Sequence, residues 1–364
     1  MNRMLLVAAV ACGLGGSLVL TSPARAEEVP AEYKACINAG LKWLCDNQNR
    51  DGHWESAGQY PIVMTSISGM ALLMEGSTIR EGKYADRIRR ATDWLMARAI
   101  NTGQIGNPQI PGEAGRYMYG HGFALLFLSC VYGEEEEGER RKKLEKILTE
   151  ACKFTANAQT TRGGWGYVSS KDGGDFDEGS CTVEQMQALR AARNAGIAVP
   201  KDSIEKGVKY LKDSTVNGGV IYSLAGGGGG QGSPALTAAA IACGFSAGEY
   251  NNATVKEWIK FCQQHFGAAS GGIVRMGHDE YTHYYFAQSV YFLGDNGYGK
   301  LFPNSKESER LTWSKYRKES FANIKSTQNR DGSWTGSQVG PGFATPVYLS
   351  ILQLDNAVLP IYQH

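Results

Sequence analysis

The chain has 364 residues, with 37 Lys and Arg against 36 Asp and Glu, for a formal net charge of +1. A balance this close to neutral, without a basic stripe, argues against a nucleic-acid partner. Length and composition suit one globular domain behind a short leader.

Residues 1–26 read as a secretory signal: Asn2-Arg3, an apolar run over 4–20, then Ala24-Arg25-Ala26 as a small-x-small cleavage site. The mature chain is expected to begin near Glu27 and to be exported, periplasmic or secreted, leaving 35 basic against 36 acidic residues. Val10-Ala11-Cys12 falls inside the apolar run and is not read as a lipid-attachment box. No other run reaches membrane-spanning length. Cys36, Cys45, Cys130, Cys152, Cys181, Cys243 and Cys262 then remain. Their number is odd and most occupy apolar helix positions, so they are expected as buried thiols rather than a disulfide framework, with intermolecular pairing left open.

From there one pattern recurs to the end of the chain. Gln48-Asn49-Arg50-Asp51-Gly52-His53-Trp54 returns as Gln328-Asn329-Arg330-Asp331-Gly332-Ser333-Trp334, each copy following an apolar helical stretch. Between them the same helix, glycine turn and second helix reappear, marked by Trp94-Leu95, by Gln159 with Gly163-Gly164-Trp165, by Gly218-Gly219, and by Gln263 with Gly271-Gly272. Six units of about fifty residues result, too long for the common short helical repeats and suited to a closed ring of hairpins. First helices such as 201–213 and 256–264 are amphipathic and charged and belong outside, whereas second helices such as 122–128 and 235–242 are apolar almost all round and belong inside. Asp51 and Asp331 are expected to cap or form Asx-turns before their glycines. The run from Glu134 to Glu137 followed by Arg140-Arg141-Lys142-Lys143 reads as a solvated helix start.

The segment Gly40-x-x-Trp43-Leu44-x-x-x-Gln48-x-x-x-Gly52-x-Trp54 resembles the QW motif of squalene and terpene cyclases, lacking only a basic residue before the first glycine. Looser copies stand at Phe154 to Trp165 and Gln328 to Trp334, so the resemblance spans nearly all of residues 27–364. It is similar to secreted bacterial proteins described as having prenyltransferase and squalene oxidase repeats. It implies an all-α fold, an α/α toroid of six hairpins, in which glutamine and tryptophan are structural. Protein prenyltransferase β-subunits, complement thioester domains and cobalamin carriers share that toroid, so function must be argued from the site.

Several constellations offer chemistry. In the run Asp172-Gly173-Gly174-Asp175-Phe176-Asp177-Glu178, Asp175 and Asp177 are candidate catalytic acids by comparison with the Asp-x-Asp-Asp motif of cyclases, but the run lies three residues too early. A loop carboxylate equilibrates with water near its ordinary pKa of about 4, far from the strong shielded acid that alkene protonation needs. Asp177, Cys181 and His283 have the ligand types of the prenyltransferase zinc site, without its Asp-x-Cys spacing. Calcium is the alternative metal, at Asp172, Asp175, Asp177 and Glu178. Cys181-Thr182-Val183-Glu184-Gln185 has one residue too many for a thioester sequence. His121, Cys181 and His283 all fall near the leading ends of inner helices, where Tyr117, Tyr119, Tyr281, Tyr284 and Tyr285 add aromatic faces. Together with His121 these tyrosines are the candidate ligand-binding set. The glycine-rich connector 225–232 lacks a phosphate-loop ending, and the long connection over 102–116 names no chemistry.

The favoured expectation is a binding or scaffold role for an apolar, glycan or peptide ligand at the central cavity. The alternatives are an isoprenoid cyclase or transferase using Asp175 or Asp177, for which a prenyltransferase-like toroid would require a helical partner subunit, and a metal-assisted enzyme at Cys181 and His283.

Overall fold

The alternation of charged and all-round apolar segments becomes two concentric rings of helices in a computed structural model of the chain, which describes residues 29–106, 110–227, 230–246, 253–266 and 279–362. The expected signal at 1–26, Gly271-Gly272 and parts of the 102–116 and 225–232 connections lie outside the described residues. In chain order the helices are α1 (Ala31–Asp46), α2 (Pro61–Met74), α3 (Ala85–Met96), α4 (Pro111–Ala114), α5 (Tyr117–Tyr132), α6 (Gly138–Ala158), α7 (Gly179–Asn194), α8 (Lys201–Asp213), α9 (Pro234–Ser246), α10 (Ala253–Phe266), α11 (Asp279–Leu293), α12 (Gly297–Leu301), α13 (Trp313–Ser326) and α14 (Pro341–Leu352). A two-stranded antiparallel hairpin, β1 (Thr215–Val216) and β2 (Gly219–Val220), pairs Thr215 with Val220 after α8.

Helices α2, α5, α7, α9, α11 and α14 each pack on the next, and α14 returns to α2, closing an inner ring. The amphipathic helices α1, α3, α6, α8, α10 and α13 lie against its outside. In α1 the buried stripe is Tyr33, Cys36, Ile37, Gly40, Leu41 and Leu44, while Lys42 and Asp46 pair at the surface. In α2 every residue but Val63 is buried, which an isolated helical hairpin could not arrange. Each such Leu, Ile or Met contributes about 1.5–3 kcal/mol by leaving water, so the inner helices are stable only when neighbouring units cover them. Among the described residues all seven cysteines are free, five of them fully buried.

The repeated motif supplies the joints. The Gln48 amide donates to Gly52 O (2.8 Å) and to Arg87 O of α3 (3.0 Å). Gln159 donates to Gly163 O and to Ser203 O of α8, and Gln328 to Gly332 O and to Cys36 O of α1. Each glutamine thus ties its own turn to the next outer helix, and Gln328 joins the sixth unit to the first. The indoles of Trp54, Trp165 and Trp334 donate to Leu44 O, Thr155 O and Ile324 O, satisfying carbonyls that the outer helix leaves open at its end. Asp331 closes an Asx-turn onto Ser333 N, as expected.

Gly332 makes the closure tight: its φ is +93°, and a Cβ there would meet Ala39 O of α1 at 2.4 Å. Gly196 has a similar φ of +86° and open space around it. Gly332→Ala should therefore cost more than Gly196→Ala, by about 1–3 kcal/mol, in urea denaturation. Equal losses at the two positions would show that backbone strain alone, and not ring closure, sets the cost.

Candidate functional site

Helices entering the inner ring all begin at one mouth, and their first turns enclose a cavity of about 840 Å³. Described residues of the connections before α2, α5, α7, α9 and α14 contribute to its rim. Ser56, Tyr167 and Tyr222 occupy the same place in three units, two residues after Trp54, Trp165 and Val220, and all three line the cavity. Met64, Tyr119, Phe123, Leu236, Tyr281 and Phe343 make the wall, and Gln59, Gln231 and Gln338 add amides. Glu113 and Arg116 are the charged lining residues among those described.

Buried carboxylates at this mouth act as staples between units. Glu113 accepts from Ile62 N in the first turn of α2 (2.9 Å). Glu178 caps α7, accepting from Ser180 N and Cys181 N, and takes the Tyr119 hydroxyl at 3.1 Å. Glu280 receives Ser337 N and Ser337 Oγ from the sixth unit. Asp177, fully buried, takes Arg162 Nε at 2.5 Å, the Tyr210 hydroxyl, and Leu224 N and Ala225 N of the fourth unit.

This spends the acids that the sequence offers for chemistry. Neither Asp175 nor Asp177 lines the cavity. Hydrogen bonds from Thr161 hold the Asp175 carboxyl below its ordinary value, the reverse of what a proton donor to an alkene requires. The calcium set is likewise dispersed: Asp172 takes the Tyr117 hydroxyl, Asp175 takes Thr161, and Asp177 and Glu178 serve the staples just described. For zinc, Asp177, Cys181 and His283 are not gathered, and among the described residues no three His, Cys, Asp or Glu side chains are arranged to hold a metal. Burial, then the neighbouring Glu178, pushes the Cys181 thiol well above its ordinary value. Gln185 donates its amide to Met118 O on α5.

His121 fills a structural slot. At the first turn of the inner helix, Thr65, Thr182, Thr237 and Thr345 accept the backbone N–H of Trp54, Trp165, Val220 and Trp334. In the second unit His121 Nδ1 accepts Ile105 N (3.1 Å), which puts the ring proton on Nε2, 2.9 Å from Thr155 Oγ1. Burial pushes its pKa down to about 3. His283 occupies the corresponding position of α11, 3.3 Å from the Tyr316 hydroxyl. Of the expected ligand-binding set, Tyr119 and Tyr281 line the cavity, whereas Tyr117, His121, Tyr284 and Tyr285 pack behind or beneath it.

Beneath the cavity two polar pairs join inner helices. The Tyr285 hydroxyl donates to Glu184 Oε2 at 2.9 Å, and Gln187 donates to Gln288 at 3.0 Å, joining α11 to α7 over the intervening α9. Burial pushes the Glu184 carboxyl up to about 8, partly offset by the Tyr285 hydroxyl. Glu184 sits in a helix of mixed polarity, beside Gln185 and Gln187, with no spacing signal, and only the packed ring reveals its burial.

Stability should respond to pH at both ends. Folding raises the Glu184 pKa from 4.5, so its contribution is complete below that value and is lost as pH rises through about 8. Folding lowers the His121 pKa from 6.5, so its contribution is complete above that value and is lost as pH falls through about 3. Melting temperatures across this range should lose their alkaline decline in Glu184→Gln and part of their acid decline in His121→Thr. Parallel curves for variant and parent would contradict the burial of these groups.

No protein-family model and no curated protein matches the sequence. Among solved structures, an aspartate-to-asparagine variant of the type II terpene cyclase MstE from Scytonema, in complex with geranylgeranyl dihydroxybenzoate, is similar at a TM-score of 0.55 and 15% identity, covering 89% of this chain and 97% of that one. An inactive variant of the α-1,6-mannanase GH76A of Salegentibacter sp. HEL1_6, in complex with α-1,6-mannotriose, is similar at 0.60 and 10% identity, covering 89% and 98%. A protein from Actinoplanes is similar at 0.54 and 14%, covering 89% and 99%. At these identities the likeness is one of fold: the chain is an α/α toroid of the architecture that terpene cyclase and mannanase share.

Proposed function

We propose that this is a binding protein whose central cavity takes a polyhydroxylated, glycan-like ligand. The observation that carries the reading is the lining itself: five tyrosines (Tyr60, Tyr119, Tyr167, Tyr222 and Tyr281) alternate with amides and hydroxyls around about 840 Å³. That volume falls within the ~300–1,000 Å³ of small-ligand sites. Aromatic faces stack on the C–H faces of sugar rings while phenols and amides meet the hydroxyls. Local strain supports the same place. Tyr60 and Ala57, both on the lining, hold left-handed φ of 54° and 49°, conformations that cost about 1–3 kcal/mol and gather where function over-determines the backbone.

Glu113 is the only carboxylate among the described lining residues, and it is engaged with the first turn of α2. Hydrolysis of a glycosidic bond by the usual route requires two carboxyl groups facing the bond, so the arrangement favours retention of a glycan over its cleavage. Likeness to a mannanase that holds a mannotriose is compatible with such a ligand. A second reading, an isoprenoid ligand, draws on the apolar lower wall of Val63, Met64, Phe123, Leu236 and Phe343 and on the likeness to a terpene cyclase. We place the protein outside the cytoplasm, on the leader expected over residues 1–26; N-terminal sequencing of the native protein tests this.

Native against denatured mass of the purified protein distinguishes the readings, since hexose increments favour the first and a lipid-range increment the second. Tyr222, 49% exposed at the rim, can be removed without disturbing the core. Tyr222→Ala should weaken binding to the best glycan on an array about tenfold, or about 1.4 kcal/mol, with an unchanged melting temperature. Full binding by that variant would remove the cavity mouth as the site.

A further inference from the structure

We infer that the cavity is a blind pit that receives one terminus of a glycan chain, not an internal stretch, and that the Tyr281 ring packs against the terminal unit. This rests on the glycan reading above and narrows it.

Depth is the first consideration. Every lining residue contributed by an inner helix lies in its first two turns; on α5 the deepest is Phe123, six residues from the helix start, or about 9 Å at 1.5 Å per residue. One turn further along these helices, the bonds from Tyr285 to Glu184 and from Gln187 to Gln288 join α11 to α7, and Tyr281 rests edge-on against Tyr285 with centroids 4.8 Å apart. The far end is shut as well. The segment after α14 folds under the ring, where Gln353 donates to Ala71 O, Asn356 to Met74 O, and Tyr362 meets the Tyr284 hydroxyl. A small hollow of about 120 Å³ on that side shares no lining residue with the pit.

A chain threaded through the ring would need an exit at the far end, which the segment after α14 covers. A chain laid across the mouth would leave the wall of Phe123, Tyr281 and Phe343 without contact. One end lowered into the pit meets that wall, and the remainder leaves over the rim, where Tyr167 and Tyr222 join hydroxyls and Tyr222 stays half exposed.

Tyr281 supplies an aromatic face. Tyr119, Tyr167 and Tyr222 spend their hydroxyls on one another, Ser180 or Glu178, and the Tyr281 ring forms part of the wall, so the terminal unit meets ring faces there.

The test is an array of linear oligosaccharides, each attached through one end and through the other, beside cyclodextrins and cyclic β-glucans that have no end. Binding to linear probes in one attachment only, with affinity that stops rising once the chain has passed the rim, is the expected result. Equal binding to cyclic probes, or to both attachments, would overturn chain-end recognition and leave the glycan reading standing; binding to none of the probes would overturn both. Tyr281→Leu removes the ring face and should lower affinity about tenfold, while Tyr281→Phe, which keeps it, should bind as the parent does. Unchanged affinity in Tyr281→Leu would overturn its assignment.

Discussion

Ring closure is the constraint from which the rest follows. An inner helix that is apolar on every side cannot be covered by its own partner, so each hairpin needs neighbours on both flanks. A linear array of such hairpins would leave its two end units exposed. Here the Gln328 amide and the close approach of Gly332 to Ala39 bring the sixth unit against the first, and both ends disappear. Closure also fixes where a ligand can go. Six helices starting at one face leave a depression at their common mouth, lined among the described residues by what the connecting loops and first turns carry.

Those first turns present unpaired N–H groups and a positive field, and the chain answers with carboxylates. Glu113, Asp177, Glu178 and Glu280 each accept from backbone or hydroxyl groups of their own or a neighbouring unit. Acid-rich sequence near an inner-helix start therefore arises from the demands of assembly. The same need explains why Asp177, with five donors around it, has no capacity left for a metal or a substrate proton. In the barrel interior polar groups play another part. Glu184, Tyr285, Gln187 and Gln288 join α7 to α11 past the intervening α9, beneath the pit.

Much of this was legible in the residues. The spacing of Gln48, Gly52 and Trp54, and its return at Gln328, Gly332 and Trp334, is a local pattern, because the glutamine and tryptophan bond to carbonyls within ten residues of themselves. The all-round apolar character of 122–128 and 235–242 is equally local and places those helices inside. Tyr167 and Tyr222 could have been found by the same periodicity, since both stand two residues beyond the tryptophan slot, as Ser56 does. His121 and His283 misled because a histidine near a helix start looks like a ligand until its place is compared with Thr65, Thr182, Thr237 and Thr345.

Sequence alone determined the alternation of inner and outer helices and the turn that follows each Gln-x-x-x-Gly-x-Trp segment, because each depends on contacts along the chain or on a period that repeats within it. Tertiary structure alone decided which tyrosines face the cavity, that Asp177 is enclosed by the fourth unit, and that Glu184 meets Tyr285 across the barrel. Those pairings join residues 33 to 101 positions apart, and the field around a carboxyl or a phenol is set by what the closed ring brings beside it.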